Sequence, residues 1–166
     1  PEDLEEQADF DLLEERLIPY PALAIAQCHR VMNGMAKKVR NNVNRSMNLI
    51  NEFKPEKYDK VHRKENLIDK YEARLGSYLM QLTKQALNTE QTRQASLYLH
   101  TISDFERIGD HAADIAEMSK SINENRMEMS NAAMDELNLV VEAVRESMNM
   151  TYHACLLYTS PSPRDC

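Results

Sequence analysis

Residues 103–117 read SDFERIGDHAADIAE, and this stretch predicts a long helix with one acidic face. Its apolar residues recur at steps of four and three, as at Ile108, Ala112 and Ile115. At about 100° per residue, the carboxylates of the stretch fall within an arc of roughly 80° on one face. This row consists of Glu106, Asp110, Asp114 and Glu117. Because like charges spaced four residues apart destabilise a helix, the row needs counter-charge, a cation or good solvation.

A second acidic pair lies upstream, where Glu65 and Asp69 have the same four-residue spacing. Carboxylates are hard oxygen ligands that suit Mg, Ca or Mn and, together with other groups, iron and zinc. Two facing pairs could therefore hold a metal ion between two helices. The alternative is a solvated acidic stripe that Arg107, Lys64 and Lys70 balance, and the spacing alone leaves both interpretations open.

The same periodicity extends outward into four long helices. They are predicted over residues 22–51, over 55–87, from 89 to a stop at 123–125, and after Ser130. Asn88 followed by Gln91 resembles a capping box, and Ser130 is suited to cap the last helix. Long helices joined by short connections pack as antiparallel neighbours, so the pattern predicts an all-α bundle.

Composition agrees with a helical domain. The chain has 166 residues, enough for one domain, and it contains three glycines, no tryptophan and six prolines that all lie outside the periodic stretches. The net charge of −7 disfavours nucleic acid and anionic lipid surfaces as direct partners. The three cysteines, Cys28, Cys155 and Cys166, form no metal-type pair and predict reduced thiols in a cytosolic setting.

Motifs for catalysis are missing from the sequence, so an enzyme is not predicted. No serine or cysteine lies in a recognisable nucleophile motif, and no glycine-rich loop could hold a phosphate. A di-iron bundle requires Glu-x-x-His, and no histidine here follows a glutamate at that spacing. His111, beside the acidic row, is interpreted as a hydrogen-bonded neighbour in preference to a metal ligand.

The segment 64–69, KENLID, together with the run at 103–117 resembles a repeat of the PhoU family. That family carries Glu/Asp-x-x-x-Asp on its second helix and an acidic run of the Asp-Leu-Glu-Arg-Ile-Gly-Asp type on its third. The resemblance extends over residues 10–153. It implies a PhoU-like antiparallel bundle of long helices, with one three-helix repeat and the start of a second.

The amino end resembles the segment that follows the last membrane helix of bacterial sodium/phosphate cotransporters, over residues 10–24. This resemblance implies a regulatory domain of a sodium:phosphate symporter, on the cytoplasmic face of the cell membrane. Its partners would be the membrane transporter domain of the same polypeptide and, through an exposed apolar face, a homo-oligomer. Neither nucleic acid nor direct lipid insertion is expected.

PhoU proteins bind metal ions through their acidic motifs, so the resemblance implies a divalent or iron-type metal ion here. The implied ligands are Glu65, Asp69, Glu106 and Asp110, with Asp114 and Glu117 as outer members.

Two alternatives to the transporter domain remain. A free-standing PhoU-type metal-binding regulator of phosphate uptake and homeostasis would lack the membrane part. A phosphotransfer bundle would need an exposed histidine with Lys and Gly downstream, and neither His29 nor His111 has that context.

The expected domain organisation has three parts. Residues 1–20 are a linker after the presumed membrane part, 21–153 are the truncated helical domain, and 154–166 are a non-native or a natively disordered tail. The chain begins without Met inside an acidic run, which indicates a fragment. The tail has no helical period and ends in alternating Ser and Pro, so we expect it to lie outside the core.

Overall fold

The computed structural model describes residues 2–157, with side chains from residue 4 onward. Within these residues five helices follow one another, with a short 3₁₀ turn at Glu15–Leu17 after the first. Their bounds are α1 Glu2–Asp11, α2 Pro21–Asn51, α3 Pro55–Leu82, α4 Thr89–Glu124 and α5 Asn131–Leu157. Residues 2–157 contain no strand. The predicted all-α fold is confirmed.

Helices α2, α3 and α4 form an antiparallel three-helix bundle that contains the core. Contacts between α3 and α4 pair Tyr58 with Glu117 and Ile68 with Gly109, so the two helices run in opposite directions. Several core side chains with no exposed surface lie on the predicted apolar stripes of α2 and α3. They include Met35, Val39, Ile68, Leu75 and Leu79. The packing of these side chains fixes the orientation of α3 and thus places its polar residues beside the contact with α4.

The predicted helix starts are confirmed. Each start has a local cause in the sequence. Pro21 and Pro55 occupy first-turn positions, where the missing N–H costs no helical hydrogen bond. Asn88 and Gln91 form a reciprocal capping box at the start of α4. The Ser130 hydroxyl accepts a hydrogen bond from the Ala133 N–H at 3.2 Å at the start of α5.

The end of α3 was predicted too late in the chain, since the helix stops at Leu82 and not at residue 87. Residues 83–85 form a turn, and the Asn88 cap has an extended backbone with φ −76° and ψ 172°. The chain must therefore leave the helical path before Asn88 in order to start α4.

Helix α5 folds back along α2 and is longer than predicted. Val141 and Met148 are buried against the core, while Leu139, Val140 and Met150 remain exposed. The helix continues past residue 153 to Leu157, and Cys155 packs against the core while its carbonyl contacts His29. The remainder of the predicted tail, 158–166, lies outside the described residues.

The amino-terminal segment, expected to be a linker, is helical and packs on the bundle. The Tyr71 hydroxyl donates to Asp9 Oδ2 at 2.6 Å, and the Phe10 ring lies 4.7 Å from the Tyr71 ring. The Tyr78 hydroxyl donates to the Glu14 carbonyl at 2.8 Å. Among the helices within residues 2–157, none combines the length and the apolar character that a membrane span requires.

Candidate metal centre

Facing positions on α3 and α4 bring together three of the predicted ligands. Glu65 and Asp69 are one turn apart on α3, and Asp110 lies opposite them on α4. One carboxylate oxygen from each residue lies within 4.8 Å of the other two. We call these three residues the acidic cluster. The α3 pair and Asp110 are far apart in the sequence, and the antiparallel packing of α3 and α4 brings them together.

Gly109 explains why the two helices come so close at this level. A Cβ atom at Gly109 would lie 3.2 Å from Ile68 Cγ2, which is tighter than an ordinary van der Waals contact. Ile68 precedes Asp69 and Gly109 precedes Asp110, so this close contact between α3 and α4 lies beside the cluster. The absence of a side chain at Gly109 therefore helps to set the distance between the carboxylates.

The cluster is electrostatically costly when all its members are ionised. Burial raises the pKa of Glu65 above its ordinary value, and the neighbouring charges of Asp69 and Asp110 raise it further. Burial also raises the pKa of Asp69, and Asp110 adds to that shift. The pKa of Glu106 is raised by burial first, then by Asp110 and Asp69. A cation between these groups would remove this cost.

The counter-charges that a solvated stripe would need are not in place. Lys64 Nζ lies 3.4 Å from Glu6 Oε1 on α1, directed away from the cluster. Within residues 4–157, neither Lys70 nor Arg107 forms an ion pair with a cluster carboxylate. Asp69 Oδ1 is shielded from solvent and has no hydrogen-bond partner in this part of the chain. The three carboxylates could hold a cation, and the interpretation as a solvated acidic stripe stays open.

The donor set also fits the size of a metal ion. Oxygen ligands at about 2.0–2.6 Å from a Mg or Ca ion are separated from one another by roughly 3–5 Å. The cluster oxygens lie within 4.8 Å of one another, close enough for one ion to contact all three residues. Asp110 is exposed, so solvent can reach the site and complete the coordination.

The other predicted ligands lie outside the cluster. Glu106 is one turn from Asp110 and interacts with it electrostatically, whereas Asp114 faces His111, with Oδ2 at 3.7 Å from the imidazole Nδ1. Glu117 is further along α4 and accepts a hydrogen bond from the Tyr58 hydroxyl. The structure thus joins Glu65, Asp69 and Asp110 and separates Asp114 and Glu117 from them.

Two residues beside the cluster were missed by the sequence argument. His62 Nε2 lies 3.1 Å from Glu117 Oε1, and the positive charge of a protonated His62 would lower the pKa of Glu65. Tyr58 has its pKa raised to about 12, chiefly by its hydrogen bond to Glu117. Their spacing was available as a signal, because Tyr58, His62 and Glu65 follow at steps of four and three on one face of α3.

Comparison with known proteins gives one result. A family model described as PhoU domain matches residues 32–119, a segment that includes all of α3 and both sides of the acidic cluster. Searches of the curated proteins and of the solved structures found no match. The family match covers more than half of the 166 residues, and its limits enclose both acidic motifs on which the resemblance rested. The chain belongs to the PhoU domain family.

Proposed function

We propose that this PhoU domain regulates phosphate transport as the cytoplasmic domain of a sodium-dependent phosphate transporter, with a metal ion at the acidic cluster. Membership of the PhoU family already suggests a regulatory role in phosphate transport. The observation that carries the metal part is the convergence of Glu65, Asp69 and Asp110 from two helices. The metal would be a divalent or iron-type ion.

A metal ion would act here as a link between α3 and α4. Glu65 and Asp69 would hold it from α3 and Asp110 from α4, with Glu106 near enough to favour a positive charge. The ion would neutralise carboxylates whose ionisation is costly, so the packing of the two helices would depend on metal supply. Asp114 and Glu117 would remain outer members that add negative potential.

The transporter context is supported by the amino-terminal segment. Residues 10–24 resemble the region after the last membrane helix of sodium/phosphate cotransporters. In the structure this region packs on the bundle, since Tyr78 of α3 donates a hydrogen bond to the Glu14 carbonyl and the Phe10 ring lies 4.7 Å from the Tyr71 ring. A displacement of the segment would therefore disturb the packing of α3, which carries Glu65 and Asp69. The partner would be the membrane domain of the same polypeptide.

A homo-oligomer is a further proposed partner, because α5 exposes Leu139, Val140 and Met150 beside its packed face. Nucleic acid and inserted lipid are not proposed as partners. The free-standing regulator is the second candidate function, since the family match is equally consistent with it.

The coding sequence upstream of Pro1 separates the two candidates. A transporter domain predicts several apolar spans of about 20 residues each before Pro1. An initiation codon within a few residues of Pro1 would favour the free-standing regulator instead.

A transport assay on the parent protein tests regulation by the cluster. The variant is the full-length protein with both Asp69→Asn and Asp110→Asn. Sodium-driven uptake of labelled phosphate would be measured in cells that express it. We expect uptake to change relative to wild type, because the metal link between α3 and α4 is lost. The control is Asp104→Asn, an exposed carboxylate on α4 outside the cluster. Equal uptake in all three proteins would contradict regulation through this site.

A further inference from the structure

The spacing of the acidic cluster is repeated one heptad along the contact between α3 and α4. Seven residues back on α3 and seven residues forward on α4, the cluster positions correspond to Tyr58, His62 and Glu117. Because the two helices are antiparallel, both steps move in the same direction, by roughly 10 Å along the helix pair. We call these three residues the second polar group.

Buried apolar residues hold the second polar group in place. Val61 precedes His62 on α3, and Ala116 precedes Glu117 on α4. Val61 and Ala116 have no exposed surface and belong to a small apolar core separate from the main one. The backbone on both sides of the helix contact is therefore fixed by packing at this level.

The three side chains of the second polar group meet at one carboxylate oxygen. The Tyr58 hydroxyl donates a hydrogen bond to Glu117 Oε1, and His62 Nε2 lies 3.1 Å from the same oxygen. The Tyr58 and His62 rings are in edge contact, with their centroids 4.6 Å apart. An imidazole nitrogen from α3 and a carboxylate from α4 thus converge, as the carboxylates of the acidic cluster do.

The His62 Nε2 atom has an unmet binding capacity. It is shielded from solvent and has no hydrogen-bond partner among the groups that the structure describes, so its contact with Glu117 lacks the geometry of a hydrogen bond. Two ligands bound to one ion at about 2.0–2.2 Å lie roughly 2.8–3.5 Å from each other. The 3.1 Å between His62 Nε2 and Glu117 Oε1 is within that range.

We propose that His62 Nε2 and the Glu117 carboxylate bind a divalent transition-metal ion of the zinc type, at a second site one heptad from the acidic cluster. An imidazole nitrogen suits Zn, Fe, Cu and Ni, whereas Mg and Ca prefer sites made of oxygen ligands. The Glu117 side chain is 55% exposed, so water reaches the ion from that side and completes its coordination.

Tyr58 acts in this site by positioning Glu117. Its pKa is raised to about 12, chiefly by the hydrogen bond to Glu117, so the phenol keeps its proton near neutral pH. A protonated phenol can donate to the carboxylate while the carboxylate binds the ion, and such supporting hydrogen bonds orient metal ligands. Lys120 Nζ lies over the face of the Tyr58 ring, 5.1 Å from its centroid.

This inference goes beyond the proposed function, in which Glu117 only adds negative potential. The proposed ligands are distinct from Glu65, Asp69 and Asp110, so the second site can bind an ion whether or not the acidic cluster does.

Calorimetric titration of the 166-residue chain with Zn and, separately, with Mg tests the proposal at fixed pH and ionic strength. The starting protein carries Asp69→Asn and Asp110→Asn, which disable the acidic cluster and leave the second polar group intact. We expect it to bind one Zn ion and to bind Mg much more weakly. Addition of His62→Gln or of Glu117→Gln should weaken Zn binding by more than about tenfold. Addition of Tyr58→Phe should weaken it by about tenfold, as loss of a supporting hydrogen bond does.

His111 and Asp114 provide the matched control. They are also an imidazole and a carboxylate, with 3.7 Å between His111 Nδ1 and Asp114 Oδ2, but they lie on the exposed surface of one helix. His111→Gln in the starting protein should leave the Zn affinity unchanged. Circular dichroism checks that each variant is folded, and Glu117→Gln keeps the test decisive if His62→Gln unfolds.

Nuclear magnetic resonance of the histidine rings gives a direct readout of the ligand. The ¹⁵N resonance of His62 Nε2 should move on addition of Zn and stay in place on addition of Mg. Absence of Zn binding in the starting protein, equal affinity after His62→Gln and Glu117→Gln, or loss of binding after His111→Gln would each overturn the proposal. Zn binding at His62 together with no metal binding at the acidic cluster of wild type would contradict the proposed function alone.

Discussion

At the scale of single residues, the Asp69 carboxylate has an unfavourable electrostatic environment. Its Oδ1 is shielded from solvent without a hydrogen-bond partner in the described residues, and Glu65 and Asp110 lie beside it. Burial and the charge of Asp110 raise the pKa of Asp69, so ionisation of this carboxylate costs more than that of an ordinary aspartate. A cation at the proposed metal site would offset that cost.

Replacement of Asp69 by Asn should stabilise the metal-free protein. The substitution removes one charge from the cluster and supplies an amide group, so we expect the free energy of unfolding to rise by about 0.5 kcal/mol at neutral pH. Urea denaturation in the presence of a chelator measures this change. Asp104→Asn, outside the cluster, should leave the free energy nearly unchanged. A clear loss of stability in Asp69→Asn alone would contradict the electrostatic account.

The pH dependence of stability has a defined sign at this site. Glu65 and Asp69 have pKa values above those of the unfolded chain, so the folded state holds more protons between the two values. The stability contributed by these groups therefore falls as pH rises through that window. Without metal, wild type should have a lower free energy of unfolding than a Glu65→Gln, Asp69→Asn double variant at pH 7. This difference in free energy should shrink as the pH falls toward 4. Denaturation curves at several pH values measure it, and a difference that grows on acidification would show the sign to be wrong.

At the scale of helices, Gly109 and Gly76 form a matched pair. A Cβ at Gly109 would press on the buried Ile68 at 3.2 Å, whereas a Cβ at Gly76 would meet Ile102 Cδ1 at an ordinary 3.8 Å. Alanine improves helix propensity at both positions by roughly 1 kcal/mol. At Gly109 the overpacking cost of about 1–3 kcal/mol should exceed that gain.

We expect Gly109→Ala to lower the free energy of unfolding by about 1 kcal/mol and to weaken metal binding, because α3 and α4 move apart beside the cluster. Gly76→Ala should raise stability by about 0.5–1 kcal/mol and leave metal binding unchanged. Chemical denaturation and calorimetry measure both effects. If the two variants behaved alike, the close approach of α3 and α4 would not depend on Gly109.

His29 links α5 to α2 and is buried. Its Nε2 lies 3.0 Å from the Cys155 carbonyl, which needs a donor, so Nε2 carries the proton. Nδ1 then accepts from the Asn33 amide at 3.1 Å. The neutral ring satisfies both contacts, and protonation of Nδ1 would oppose the second one. Burial lowers the pKa of His29, although the hydrogen bond to Cys155 acts in the opposite direction.

Acidification should therefore loosen α5. The folded pKa of His29 lies below its unfolded value, so the contribution of His29 to stability is present at higher pH and is lost as pH falls through the folded pKa. Hydrogen exchange of the α5 amides should accelerate from pH 7 to pH 5 after correction for intrinsic rates. His29→Gln should remove this extra acceleration, while the control His100→Gln, at an exposed position, should retain it. Persistence of the acceleration in His29→Gln would assign it to another group.

At the scale of the whole molecule, the bundle separates two charged faces of α3. The acidic cluster lies toward α4, whereas Lys64 of α3 lies toward α1 and contacts Glu6. Lys64, Glu65 and Asp69 all belong to α3, whose buried stripe, including Ile68, Leu75 and Leu79, is fixed by the core. A change on either face can therefore act on the same helix.

Much of this architecture was predictable from local sequence. The starts of α2, α3, α4 and α5 depend on Pro21, Pro55, the Asn88–Gln91 box and Ser130, and each signal lies within a few residues of the helix start. The cluster was predicted in part, because the spacing of Glu65 and Asp69 and the position of Asp110 are also local. The sequence could not determine which carboxylates meet, since that depends on the register set at Gly109.

The remaining features depend on contacts between distant residues. Helix α1 is held by pairs such as Glu5 with Lys37 and Asp9 with Tyr71, and no local pattern in the acidic run reveals these partners. The carboxyl end of α5 is held by the contact of Cys155 with His29, which lies 126 residues away in the chain. Both segments were expected to lie outside the bundle for this reason.

The most direct test of the account is metal titration of the purified chain after treatment with a chelator. Calorimetry and thermal unfolding with Mg, Mn, Zn and Fe(II) would be compared for wild type, Asp69→Asn and Asp104→Asn. The account predicts that at least one ion binds wild type and the Asp104 variant and stabilises both by about 2.7 kcal/mol at a hundredfold excess over Kd. The Asp69 variant should lose most of that gain. An absence of stabilisation by all four ions in wild type, or an equal gain in the Asp69 variant, would contradict a metal centre at Glu65, Asp69 and Asp110.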